Sequence, residues 1–105
     1  MVTATFIFRQ HTHNEAFAEL DAAIDDVAES SDGFLGRKRW HDDEGHRSVV
    51  YYWRSMQDLE SFRKDATHRM AKSRYKEWYE GYRVEIAEVT LVRGDDVYRD
   101  WPGQK

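Results

Sequence analysis

The 105-residue sequence predicts an α+β domain of order β-α-β-β-α-β, the ferredoxin-like or split-βαβ motif, on a four-stranded antiparallel sheet. Two kinds of pattern support that prediction. Four segments are rich in β-branched and aromatic residues and lack helical spacing. Between them stand two capping-box starts, each followed by apolar residues at helical steps. The single proline, Pro102, and the lack of a Gly/Ser-rich linker or repeat leave one domain, residues 1–93, and a polar tail, residues 94–105.

Thr3 to Gln10 reads as the first strand, with Phe6 and Phe8 on one face and Ile7 on the other. Thr12-x-x-Glu15 opens a helix whose Phe17, Leu20, Ile24 and Val27 form an apolar stripe, and Ser30-Ser31-Asp32-Gly33 ends it. Gly33 to His41 and His46 to Trp53 make a hairpin about the turn Asp42-Asp43-Glu44-Gly45. Ser55-x-x-Asp58 starts a second helical region with Leu59 and Phe62 inward. A further helical stretch is expected from about Thr67 to Trp78, stopped by Gly81, and Tyr82 to Val92 is the fourth strand. Val49, Tyr51 and Trp53 alternate with Val50 and Tyr52, so both faces of the sheet are apolar. Helices cover one face; the other calls for a partner, most simply a second copy packed sheet to sheet. Tyr98 and Trp101 in the tail are candidates for docking on that neighbour.

Composition narrows the function classes. No cysteine is present, which removes disulfides, thiolate metal sites and cysteine nucleophiles and suits a reducing compartment. The first residues lack the basic start of a signal peptide and no apolar run reaches membrane-spanning length, so the expected location is the cytoplasm. A net charge of −4 argues against nucleic acid as a partner. Charge is nevertheless segregated: Thr12 to Gly36 carries acids and no Lys or Arg, and Arg63 to Lys76 is basic apart from Asp65. Two solvated helix faces are the plain reading; a basic receiver for an anionic ligand is the sharper one.

The chemistry-bearing residues gather around His68. On a helix, His68, Ala71, Tyr75 and Trp78 share a stripe. Trp53 closes the third strand, Trp78, Tyr79 and Tyr82 mark the entry to the fourth, and Phe6 and Phe8 add rings from the first. Aromatic walls with few polar groups suit an organic ligand, although a small core has the same composition. A histidine on such a stripe is more often structural than functional. His11-x-His13 has a metal-binding spacing but no third ligand nearby in sequence. His41 and His46 flank the hairpin turn, whose Asp42, Asp43 and Glu44 read as solvated rather than cation-binding. No phosphate-binding glycine loop, nucleophile elbow or HExxH occurs.

Four blocks in order, Ser31-Asp32-Gly33-Phe34-Leu35-Gly36, Val50-Tyr51-Tyr52-Trp53-Arg54-Ser55, Thr67-His68-Arg69-Met70-Ala71 and Lys76-Glu77-Trp78-Tyr79-Glu80-Gly81-Tyr82-Arg83-Val84-Glu85-Ile86, resemble the antibiotic-biosynthesis monooxygenase (ABM) domain family over nearly the whole chain to about Val92. The resemblance implies a dimeric α+β barrel. It also implies a small monooxygenase-like enzyme that oxygenates an aromatic or quinone-like molecule without a cofactor. There the protein supplies a dry pocket and a proton acceptor while the substrate carbanion meets dioxygen. His68 would be the acceptor or a hydrogen-bond partner, with Trp53, Trp78, Tyr82, Tyr75, Phe6 and Phe8 around the substrate.

A second branch of the family binds and degrades haem through a histidine in the second helical region, a tryptophan ending strand three and an asparagine on strand one. His68 and Trp53 match the first two positions, whereas Thr3 to Gln10 contains no asparagine. The resemblance therefore gives haem as the alternative cofactor, with His68 on the iron and Arg63, Arg69 or Lys72 near the propionates. A non-enzymatic dimeric binding domain, with the same aromatic residues as core and rim, is the third reading.

Overall fold

A computed structural model describes residues 1–10, 15–71 and 79–102. Its elements follow the expected order: β1 Val2–Gln10, α1 Glu15–Glu29, β2 Phe34–His41, β3 His46–Trp53, α2 Met56–Ala71 and β4 Tyr79–Glu88. The sheet runs β2-β3-β1-β4 and every pairing is antiparallel. Inserting β3 between β1 and β2 is the split-βαβ arrangement, and it leaves both helices on one face.

Local chemistry explains the element ends. After α1 the Ser30 and Ser31 amides donate to the Asp26 and Ala28 carbonyls. Gly33 then takes φ +79° where an added Cβ would collide with the Asp58 carboxylate, so both backbone and packing demand glycine. The Gly33 carbonyl accepts from the Arg54 amide at 2.8 Å, tying the start of β2 to the end of β3. Ser55 Oγ accepts from the Asp58 amide at 3.2 Å and donates to Asp58 Oδ2 at 2.8 Å, which caps α2 as its sequence predicts.

The second helix and fourth strand depart from the sequence reading. Helix α2 continues unbroken past Thr67 to Ala71, and β4 begins at Tyr79, three residues before the expected start. Gly81 is not a helix stop; it sits inside β4 opposite Arg9, beside a register shift between Arg9 and Gln10. A glycine within a strand next to a bulge relaxes the pleat, which is the role its sequence neighbours conceal. Tyr75 and Trp78 lie outside the described residues, as do Thr12 of the first capping box and the His11-x-His13 pair.

The core forms between the helices and one sheet face. Trp53 and Leu59 are fully buried, with Val49, Tyr51, Phe62 and Ala28 around them. Trp53 packs at 4.8 Å from the Phe62 ring and 5.2 Å from Phe34. Its Nε1–H has no hydrogen-bond partner among the described residues, a desolvated donor that offsets about 1–3 kcal/mol of what its burial contributes.

The opposite face is covered in part by the chain's own tail. A short 3-10 turn, Asp96–Tyr98, is capped by Asp95 and delivers Trp101 to the outer side of β2 and β3. Trp101 Nε1 donates to the Tyr52 hydroxyl at 3.3 Å, and its ring lies 5.9 Å from Trp40 with Lys38 Nζ 4.4 Å above it. Pro102 seats over Gly36, where a Cβ would approach it to 2.8 Å.

Two substitutions separate these layers. Leu59→Ala should lower unfolding free energy by about 2–5 kcal/mol, because it opens a cavity in the helix–sheet core. Trp101→Ala should cost less, roughly 1–2 kcal/mol, since it strips a partly buried ring from the outer face. Urea denaturation of both variants checks the ranking, and the reverse order would contradict it.

Candidate functional site

A cavity of about 480 Å³ lies between the helices and the sheet, within the usual size of small-molecule pockets. Alternation along the strands decides its floor. Phe6 pairs with Val84 and Phe8 with Tyr82 across β1 and β4, so these side chains share the helix-facing surface. The Phe6 ring stands 5.4 Å from Phe8 and 5.6 Å from Tyr82. Tyr82, Val84 and Ile86 are 38–55% exposed, which makes β4 the open side. Tyr51, Leu59 and Phe62 close the inner end.

Of the residues expected around a substrate, Phe6, Phe8 and Tyr82 line this cavity. Trp53 does not. It is wholly enclosed among Phe34, Phe62 and their neighbours, because its position opposite Val2 and Phe34 points it beneath the helices at the closed end of the sheet. The side chain of His68 lies outside the described residues. Along the helix, Leu59, Phe62, Arg63, Ala66 and Thr67 supply the cavity-lining row of α2.

Beside Arg63 and Tyr82, the polar part of the wall comes from a network the sequence did not single out. Asp21 on α1 lines the cavity, and its Oδ2 accepts from Arg39 Nη2 at 3.1 Å. The same nitrogen donates to Asp25 Oδ2 at 2.7 Å. Asp25 Oδ1 accepts from the Tyr51 hydroxyl at 3.1 Å and faces Arg37 Nε at 3.4 Å, while Arg37 Nη1 reaches Glu29 at 2.9 Å. Asp21, Asp25 and Glu29 succeed one another at four-residue steps on α1, and Arg37 and Arg39 alternate onto the helix-facing side of β2. The acidic segment is therefore partly neutralised by the adjacent strand. Its signal in sequence was the match between a four-residue acid period and a two-residue arginine period.

Environment sets the titration of this cluster. Burial raises the Asp21 carboxyl above its ordinary range and the Asp25 charge adds to that, outweighing the attraction of Arg39. Burial, the charges of Asp25 and Asp21, and the hydrogen bond to Asp25 push the Tyr51 hydroxyl far above the tyrosine range, so it serves only as a neutral donor. Burial works against the Arg39 charge, but its carboxylate partners prevail and hold it protonated.

The hairpin turn has a separate arrangement. Asp42 Oδ1 accepts the Glu44 and His46 amides at 2.9 Å each, and Asp42 Oδ2 meets His46 Nδ1 at 2.9 Å. The His46 amide and ring hold the Asp42 carboxyl below its ordinary range. Asp42, Glu44 and His46 lie close together, and these bonds account for the grouping as a turn lock.

The haem alternative rests on His68, whose side chain lies outside the described residues, and the described lining gives it no support. The polar members of the lining are Asp21, Arg63, Tyr51, Tyr82, Thr5 and Thr67, none an accepted haem ligand in this setting apart from a tyrosine. Tyr51 is committed to Asp25 and held neutral, and Phe6 and Phe8 occupy the strand where polar support for haem would stand.

Two expected outcomes follow from the cluster. Tyr51→Phe removes a bond to a charged acceptor and should cost roughly 1.5–3 kcal/mol in urea unfolding. Because the folded chain retains the Asp21 proton to higher pH than the unfolded chain, folding stability from this group falls as pH rises from 3.8 through its raised folded value. Asp21→Asn should flatten that decline; an unchanged pH dependence of the urea midpoint would contradict the assignment.

Comparison with known proteins agrees with the fold. The solved structure of a point mutant of SnoaB, a cofactor-independent oxygenase from Streptomyces nogalater, is similar with a TM-score of 0.72 at 9% identity, covering 90% of this chain and 97% of that one. PA3566 from Pseudomonas aeruginosa gives 0.66 at 15% identity, over 86% and 94% of the two chains. In sequence, the uncharacterized protein YqjZ of Bacillus subtilis (strain 168) is 30% identical over 82 residues, 77% of this chain and 72% of its own. Residues 3–91 match the family model described as monooxygenase af470-like, and the chain belongs to that ABM-type family.

Proposed function

We propose that the protein is a small ABM-type oxygenase that uses dioxygen directly on a planar aromatic substrate with an acidic C–H group. The observation that supports it most is the cavity itself: an open, ring-walled slot beside Phe6, Phe8 and Tyr82 with a few polar groups on its helical side. Aromatic walls stack a flat substrate, and a mostly apolar lining limits the water around a delocalised carbanion once the substrate fills the slot. The fold shared with SnoaB, itself a cofactor-independent oxygenase, supports the same reading.

The chemistry balances without an added reductant. An anthrone-type methylene loses a proton, and the electron pair left on carbon reduces dioxygen to a bound peroxide. Loss of water then leaves a carbonyl: CH2 and O2 become C=O and H2O. The protein must bind the ring system, exclude bulk water and accept a proton. The uncovered part of the outer sheet face, including Thr3, Ile7 and Val50, is where a second copy would pack in this reading.

Anthrone is a suitable first probe. Purified protein should consume dioxygen and form anthraquinone in equal amounts, with one labelled oxygen retained from 18O2. Tyr82→Ala should raise KM by about tenfold, for loss of roughly 1.4 kcal/mol of stacking. His68→Ala in the same assay decides whether the histidine takes part. No turnover above buffer across anthrones and naphthols would reject the reading.

A further inference from the structure

We propose that Asp21 is the proton acceptor of the cavity, held by Arg39, which Asp25 fixes in turn; this rests on the oxygenase reading above. The argument is a division of labour between two carboxylates one helical turn apart. Asp25 is engaged by Arg39 at 2.7 Å, the Tyr51 hydroxyl at 3.1 Å and Arg37 at 3.4 Å, and its side chain is only 15% exposed. Those donors occupy both Asp25 oxygens, so its side chain serves to anchor the guanidinium. Asp21 takes one nitrogen of Arg39 at 3.1 Å through Oδ2, and its side chain is 42% exposed. Its Oδ1 has no hydrogen-bond partner among the described residues, and the residue lines the cavity. It therefore combines a fixed position on the cavity wall with an oxygen that no described residue engages.

The charged and titratable groups around it are consistent with that role. Arg39 and Arg37 approach from β2, Asp25 from the same helix and Tyr51 from β3. Arg63 of α2 and Tyr82 of β4 line the same cavity. Burial and the Asp25 charge keep Asp21 more basic than a free aspartate, while Arg39 and Arg37 limit the rise. In the step itself the substrate C–H proton moves to Asp21, and its electron pair stays on carbon as a delocalised enolate. After the enolate has reacted with dioxygen, Asp21 returns that proton to the terminal peroxide oxygen. The remaining C–H proton is then lost, its electron pair forms the carbonyl as the O–O bond breaks, and the departing hydroxide takes up that second proton as water.

Proton abstraction can be read without dioxygen. Anaerobic exchange of the anthrone methylene protons in D2O, followed by NMR, should be accelerated by the wild-type protein. Asp21→Asn should lower that acceleration about 100-fold, the low end for a general base. Asp21→Glu should recover it to within about tenfold of wild type, since a carboxylate is restored at the same wall. Asp26→Asn, an exposed acid on the same helix, should match wild type. Circular dichroism of each variant confirms folding. Exchange by Asp21→Asn at the wild-type rate, a Glu variant no better than the Asn variant, or no acceleration by the wild type would overturn the proposal. Asp21-dependent exchange without dioxygen uptake would uphold Asp21 and reject the oxygenase reading; dioxygen uptake retained in Asp21→Asn would do the reverse.

Discussion

A four-stranded sheet that is apolar on both faces has two surfaces to cover, and the β-α-β-β-α-β order puts both helices on the same one. Much of the molecule answers that constraint. On the helical face, Trp53, Leu59 and Phe62 pack tightly toward the β3 end of the sheet. On the β4 side Tyr82, Val84 and Ile86 remain partly exposed, and the space above them is the cavity. On the other face the tail folds back, and Trp101 and Pro102 cover β2 and β3 around Trp40, Tyr52 and Gly36. Core, cavity and tail contact are thus three consequences of one covering problem.

The division between packed core and open cavity also assigns different work to chemically similar residues. Trp53 and Tyr82 are both aromatic and both on the helix-facing surface, yet one is fully enclosed and the other 55% exposed. Their strand positions decide this, since Trp53 faces the helices near the β2 edge and Tyr82 stands on the outermost strand. Enclosure makes Trp53 a stability residue despite its unpaired indole N–H. Exposure leaves Tyr82 with surface to offer a ligand. Composition alone cannot distinguish such residues, because both roles select large rings.

The fold was largely legible because its signals are local. Ser55-x-x-Asp58 caps a helix in the structure as written in sequence, and the alternation of Val49 to Trp53 places the same residues inward. What escaped was non-local. Gly81 read as a helix stop because its pairing with Arg9 is made by a strand at the far end of the chain. The Asp21–Arg39 contact joins residues from two elements, and the acidic run looked like a solvated face until β2 supplied its counter-charges. At the candidate site, sequence weight fell on histidine and tryptophan, whose side-chain types announce chemistry. An aspartate in an acidic helix announces nothing until a cavity opens beside it.

The paired carboxylates show how a small fold can place a basic group next to an apolar slot. An isolated Asp against such a wall would stay neutral, since burial disfavours its charge. A tightly bridged Asp would stay ionised but lose basicity. Sharing one guanidinium between Asp21 and Asp25 gives an intermediate state, because Arg39 must divide its hydrogen bonding and the two like charges oppose each other. Tyr51 donates to Asp25, which commits that carboxylate further to its anchoring contacts. The same network binds α1 to β2 and β3, so the element that forms the cavity's polar wall is held by the groups that tune it. Stability and reactivity at this wall are coupled through Arg39, and neither can be altered there without the other responding.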